Sequence, residues 1–505
     1  MKSYFLFNRS GMMVYCLVSV LLLNLCLVSC TDVGMLVLDK ETEISTPFTK
    51  ATGPATTESK DIDFVVKEAD ILNYIYRHND SPRILSIDPI KRKGEALLYV
   101  VNYVDGWSLF SADKHLPPIV AENNTGVFNL EDLNNKGVLY WMDDIVNLTS
   151  RLRQESGRES ANAFTALWEG RPIMKNETGD PTKSQYTWTK VLVSSTQEIV
   201  DTLTVGPFLQ TEWGQWDPWN IRLIAEDANF CYPTGCTAVA VSQILYYCHD
   251  VIGIPSGLYH GISVSGWVSG FHQYVGQYYT SILTRSGFTN PSSRWSQMVE
   301  KYSDYDPTSP SSVAGANHVA DLMTDVGNRL KTMYTQTKSG AEFDSVLTVM
   351  VNYGLSGDMH SFEDSLAYAE IAQNNRPFLM GGTDLNSNEG HTWIVDGLRQ
   401  YRIQTTNTYM WYLGYMPGAS PSGEPATQEE AMEAALDAGL DHPEDLMVTQ
   451  EVIYAGPHKL FHMNWGENGN ANGYYLKNES VTFGNINHLF TSNQKMIYNI
   501  RSNAN

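Results

Sequence analysis

Residues 231–250, CYPTGCTAVAVSQILYYCHD, constrain the fold of this chain more than any other stretch. Pro233, Thr234 and Gly235 are turn and cap residues. From Cys236 onward, Ala238, Val239, Val241, Ile244, Leu245 and Cys248 recur at helical spacing with no Gly or Pro among them. The pattern predicts a mostly buried helix with Cys236 in its first turn. A thiol there meets unpaired backbone N–H groups and the positive end of the helix dipole, and both favour thiolate. Gly235 has no side chain to keep another backbone away from the sulfur. A buried, inert cysteine capping a core helix has the same local pattern, so other segments must decide between packing and chemistry.

The chain has 505 residues, room for two to four domains. Its net charge of −22 argues against a nucleic-acid partner, which needs a basic face. Lys2 and Arg9, then an apolar run over 12–28, predict a secretory signal over residues 1–29. Leu27-Val28-Ser29-Cys30 resembles a bacterial lipobox, which makes Cys30 the expected lipidation site and gives membrane contact through a lipid anchor only. An ordinary cleaved signal is the alternative. Once the signal is removed and Cys30 lipidated, Cys231, Cys236 and Cys248 remain, and an odd number leaves at least one free thiol. Cys236 and Cys248 stand about 18 Å apart along one helix, too far to share a metal ion. No metal or cofactor is expected. A Cys231–Cys236 disulfide would inactivate the thiol.

Residues 31–60 are rich in Thr, Ser, Pro and Lys and predict a flexible tether. Residues 61–155 read as a small α+β unit. A helical pattern runs over 64–77, and a hairpin over 97–103 and 107–111 turns at Asp105-Gly106. An extended run follows over 113–120 and an amphipathic helix over 141–153. Residues 156–200 are polar and weakly patterned, the expected linker and cleavage zone. Residues 201–505 form the larger domain. It carries a helix over 317–327 and strand-like runs at 377–380, 391–398, 459–465 and 474–477. Residues 416–447 read as an insertion with an acidic surface helix, TQEEAMEAALDAGL.

Three further segments carry chemistry. In GHTWIVDGL, His391 begins an alternating run, with Trp393 and Val395 on its face and Thr392, Ile394 and Asp396 on the other; Gly390 leaves room beside the imidazole. In HMNWGENGNANGYY, Asn464 could hold an imidazole tautomer and Trp465 could shield it from water. In TEWGQWDPWN, Gln215 could donate its amide to a tetrahedral oxyanion. Singly, each reads equally well as packing: a structural histidine, a core tryptophan, a turn asparagine, an aromatic loop. The order Gln, Gly-Cys on a helix, Gly-His on a strand, Asn-Trp is that of papain-like cysteine peptidases.

Together, TEWGQWDPWN, YPTGCTAVAVSQILYY, GHTWIVDGL and HMNWGENGNANGYY resemble the streptopain family of bacterial cysteine peptidases over residues 210–500. YVVNYVDGWSLFSADKHLPPIVA resembles that family's propeptide, and AGANHVADLMTDVG and TKSGAE also look familial. The resemblance implies an α+β, papain-like peptidase domain behind an inhibitory propeptide, and a zymogen acting on protein or peptide substrates. Cys236 would be nucleophile, His391 general base and acid, and Gln215 with the Cys236 N–H the oxyanion hole. Trp465 would pack on His391 and Asn464 would orient it. Ser339, Gly340, Ala341 and Gly390 would line the substrate groove. Two features depart from the family: Glu467-Asn468 stands where a glycine- and tryptophan-rich loop is usual, and residues 416–447 are extra. A papain-fold amidase or transpeptidase on cell-wall peptide, and an inactive partner-binding lipoprotein, are the rival readings.

Overall fold

The computed structural model describes residues 63–79, 81–130, 133, 136–154, 163–170, 186–225, 229–254, 264–272, 279–286, 294–383, 390–415, 448–476 and 494–503. The expected signal, Cys30, the tether and the 416–447 insertion with its helix lie outside the described residues.

Four antiparallel strands open the described chain: β1 (Ile84–Arg92), β2 (Glu95–Tyr103), β3 (Gly106–Ser111) and β4 (Ile119–Asn123). The β2–β3 hairpin turns where Asp105-Gly106 predicts it. Gly106 takes φ +115°, and a Cβ there would collide with the Asn123 carbonyl. Helix α1 (Glu68–His78) precedes this sheet; α2 (Lys136–Gln154) and α3 (Ala163–Glu169) follow it. The run expected to be extended over 113–120 instead turns at Lys114-His115 and enters β4 only at Ile119, with Asp113 accepting the His115 N–H at 3.1 Å. Helix α2 starts five residues before the expected 141, at Lys136.

Strand β5 (Tyr186–Val205) then begins a second strand set, followed by β6 (Leu223–Ala225) and the buried helix α4 (Cys236–Val251). Strands β7 (Val264–His272) and β8 (Tyr279–Ser286) pair with β6 in a small sheet. Helix α5 (Pro310–Arg329) has Pro310 in its first turn and Ser309 as N-cap, accepting the Ser312 N–H at 3.5 Å. The short pair β9 (Met333–Tyr334) and β10 (Ser339–Gly340), helix α6 (Val346–Asn352), strand β11 (Leu355–Ser361) and helix α7 (Asp364–Tyr368) follow. Strands β12 (Phe378–Thr383), β13 (Gly390–Tyr415), β14 (Val448–Asn464), β15 (Gly473–Leu476) and β16 (Lys495–Ser502) complete the chain.

The expected linker, 156–200, holds α3 and most of β5, which pairs antiparallel with β13 from Tyr186↔Tyr415 to Val205↔Leu398. Polar strands such as TQEIVDTLTV escape a periodicity reading because their partner lies some two hundred residues away. The same pairing extends β13 far beyond the expected 391–398.

One 11-stranded sheet joins the two sets of strands, in the order β1-β2-β3-β4-β15-β14-β13-β12-β16-β11 with β5 on β13. The seam is β4 against β15, at Glu122↔Tyr474 and Ala121↔Tyr475. Strand alternation sends side chains to two separate cores. Trp393, Val395, Phe378, Met380 and Met496 face one, which they share with Val138, Trp141 and Met142 of α2. Ile394, Leu379 and Ile497 face the other, with Val239, Ile244 and Leu245 of α4. The C-terminal part of the sheet is thus clasped between α4 on one face and α2 on the other.

Candidate active site

Cys236 opens α4, as its sequence predicts. Gly235 before it has φ +89°, a conformation side chains rarely adopt, and a Cβ there would stand 3.0 Å from the Ser339 carbonyl oxygen. Ser339, Gly340 and Ala341 therefore pass beside the helix start, and the Thr237 hydroxyl donates to the Ala341 carbonyl at 3.5 Å. Thr237 also shares a hydrogen bond with Thr392 at 3.0 Å, which ties α4 to β13 one residue beyond His391.

Burial is the largest influence on the Cys236 thiol and pushes it above its ordinary range. Hydrogen bonding from the Thr392 N–H, from Thr237 and from its own N–H favours thiolate, but together these are the weaker effect. The helix position supplies the expected N–H groups; desolvation overrides them in this closed arrangement. Cys231, Cys236 and Cys248 are all free, so the Cys231–Cys236 disulfide is not formed.

His391 pairs with Gly382 across β12 and β13, and exposed Gly390 beside it pairs with Thr383. The imidazole is buried. It stacks on Trp393 with centroids 5.9 Å apart and lies tilted against Trp465 at 6.1 Å. Helix α2 closes over this ring at Gly137. A Cβ on Gly137 would collide with His391 Cδ2 and lie 2.7 Å from both His391 Nε2 and Trp465 Cε3. The absence of a side chain at 137 is what lets the helix seat itself there.

Gln215 reaches the same place. The Thr234 N–H donates to the Gln215 carbonyl at 3.0 Å, holding that segment against the turn before Cys236. Its side-chain amide donates to the Glu467 carboxylate, which also feels the charge of His391.

Asn464 departs from its expected role of orienting His391. Its amide donates to the Thr211 carbonyl at 2.8 Å and to Gln243 at 3.4 Å, and its oxygen accepts the Gly466 N–H and the Gln243 amide, each at 3.2 Å. Those four bonds use the whole amide. Asn464 instead braces the turn after β14 against α4. The sequence gives Gln243, Thr237 and Thr392 no site role, and marks Glu467 only as a departure from the family. Gln243 did carry a signal: a lone amide in an apolar helix, seven residues and so two turns after Cys236 on one face.

Residues 213–475 match the Peptidase C10 family. Among solved structures, the chain is similar to a mutant prointerpain A fragment from Prevotella intermedia, with 20% identity and a TM-score of 0.46 over 82% of this chain and 97% of that one. It is also similar to active wild-type interpain A cysteine protease from Prevotella intermedia, with 21% identity and a TM-score of 0.36 over 59% of this chain and 95% of that one. No curated protein matches the chain.

Proposed function

This chain belongs to the Peptidase C10 family, and from that premise we propose that it is an exported cysteine endopeptidase made as a zymogen. The observation that carries the reading is that the Cys236, Gln215 and His391 segments adjoin at the head of α4, while the His391 imidazole itself lies on the α2 face of β13. Cys236 takes a hydrogen bond from the residue after His391, and the turn before it binds the Gln215 segment.

In the proposed reaction the Cys236 sulfur attacks the peptide carbonyl carbon. The carbonyl electrons move onto oxygen, which the Cys236 N–H and the Gln215 amide receive; one such donor is typically worth ~10²–10³ in turnover. His391, protonated by the thiol, passes its proton to the leaving amine as the C–N bond breaks. Water, deprotonated by His391, then splits the thioester. Trp465 keeps the imidazole against its wall, and Ser339, Gly340, Ala341 and Gly390 border the groove. The substrates are proteins or peptides.

In this reading the inhibitory unit expected over 61–155 runs on through α3 to residue 170 and acts as intramolecular inhibitor. The support is Gly137 of α2 lying on His391 and Trp465, and β4 completing the edge of β15. Removing the inhibitor needs a cut before β5, since β5 is zipped to β13 and belongs with the peptidase strands. That narrows the cleavage zone to the chain between α3 and Tyr186. Export and anchorage at Cys30 form part of the same proposal.

The test compares the full chain with its Cys236→Ala form for N-terminal sequence after ripening, iodoacetamide labelling and peptide hydrolysis. Wild type should shorten to a start before Tyr186, label at Cys236 and cleave casein, and the alanine form should do none of these. Equal labelling in the two forms would remove the activated thiol. Labelling without cleavage of casein or short peptides would favour the amidase reading.

A further inference from the structure

The turn after Trp465, where this chain departs from the expected glycine- and tryptophan-rich run, is built into the site. Gly466, Asn468 and Gly469 take φ of +73°, +55° and +77°, so the chain folds back beneath the Gln215 segment. The Asn468 N–H donates to the Trp213 carbonyl at 3.2 Å, and the Trp219 indole N–H donates to the Asn468 side-chain oxygen at 2.7 Å. Gly214 lacks the Cβ that would collide with that oxygen, and a Cβ on Gly469 would come within 2.6 Å of Glu212. These anchors set where Glu467 stands: half-buried, accepting from Gln215 and beside His391.

Two physical consequences follow from that position. An amide side chain can face either way, and a carboxylate acceptor selects the orientation that turns the NH2 end inward. One N–H is then engaged by Glu467 and the second is left for an oxyanion. A carboxylate beside an imidazole also favours the imidazolium. Burial and hydrogen bonds from the Thr392 N–H, from Thr237 and from its own N–H act on the Cys236 thiol, while the Glu467 carboxyl feels the His391 charge.

Resting on the peptidase reading above, we propose that Glu467 is a positioning residue of this active site, orienting the Gln215 amide and supporting the protonated form of His391. The titratable groups around this turn are His391 from β13 and Glu212, which lies against Gly469 and whose carboxylate is held by Lys301 at 2.9 Å. Helix α2 presents uncharged Gly137. Burial raises the Glu467 carboxyl, and the His391 charge and the Gln215 hydrogen bond offset part of that rise.

The experiment uses the full-length chain, ripened by itself or nicked with trypsin, and records kcat/KM on a fluorogenic peptide against pH for wild type, Glu467→Gln and Glu467→Asp. Glutamine keeps the shape and removes the charge. The basic limb, which reports loss of the imidazolium proton, should move down by about 0.5–1 pH unit in the glutamine form. Its kcat should fall about tenfold with KM little changed, because the missing support acts in the transition state. Aspartate should return the limb toward wild type, and it carries the test if the glutamine form does not fold. An unmoved basic limb in folded Glu467→Gln, with Cys236 still alkylated normally, overturns the role of Glu467 and leaves the peptidase reading standing. A wild-type Cys236 no more reactive than Cys231 overturns both.

Discussion

Gly137 offers the sharpest test of how closely α2 seats on His391. Gly137→Val places a branched side chain where even a Cβ collides with His391 Cδ2 and comes within 2.7 Å of Trp465. Carbon atoms want about 3.5–4 Å, so α2 or the two rings must give by about 1 Å. Trp465 cannot give easily: it is fully buried, 5.5 Å from Trp393 and edge-on to Tyr475 at 5.2 Å. Overpacking of this kind costs about 1–3 kcal/mol, and a branched side chain against buried rings belongs to the upper part of that range. At about 2–3 kcal/mol, the population with α2 lifted rises about 30- to 150-fold. Diethyl pyrocarbonate reaches the His391 imidazole through that lifted state when reclosing outpaces reaction, so the modification rate follows the open population. The assay is mass-mapped modification of His391 in the full-length chain at pH about 7, with His462 as a buried internal control. An unchanged His391 rate in a folded Gly137→Val protein would refute the closure of α2 over this ring.

Two further outcomes are expected. His458 on β14 is buried between Phe164 of α3, at 4.9 Å, and Tyr401, at 5.2 Å, and neither ring nitrogen has a hydrogen bond among the described residues. Burial holds its pKa below the ordinary value, so the docked state keeps it neutral; this contact is at full strength above about pH 6.5 and weakens as pH falls toward the lower docked pKa. At pH 5.5 ripening of the wild type, relative to His458→Phe at the same pH, should run up to about tenfold faster than the ratio at pH 7.5; a flat ratio refutes the contact's role. Asp396 accepts the Leu209 N–H at 3.0 Å and faces His462 Nδ1 at 2.6 Å, all buried. Asp396→Ala strands both partners and should cost about 3 kcal/mol, read as a lowered thermal midpoint, while a midpoint within 1–2 °C of wild type would show the network to be dispensable.

The elements legible in the sequence are those whose partner is solvent or their own neighbours in the chain. Helix α4 is written in the spacing of Ala238 to Cys248, and the β2–β3 hairpin in Asp105-Gly106 between two β-rich runs. The full length of β5 and β13 was not legible, because polar strands such as these owe their existence to each other across the chain. Asn464 reads as a histidine partner from its neighbour Trp465, yet Gln243 and Thr211 take its amide, a competition that only packing decides.

By itself, then, the order of residues determined that a cysteine stands at the head of an apolar helix and a histidine at the head of a strand, because backbone propensity and periodicity are local. Only the tertiary structure decided that α2 seats its glycine on that histidine, that β4 joins β15 in one sheet, and that a carboxylate two residues after Trp465 turns toward both Gln215 and His391. Each of these depends on contacts between segments far apart in the chain, where burial and close approach outweigh local preference. The same burial lifts the Cys236 thiol that its helix position alone would lower.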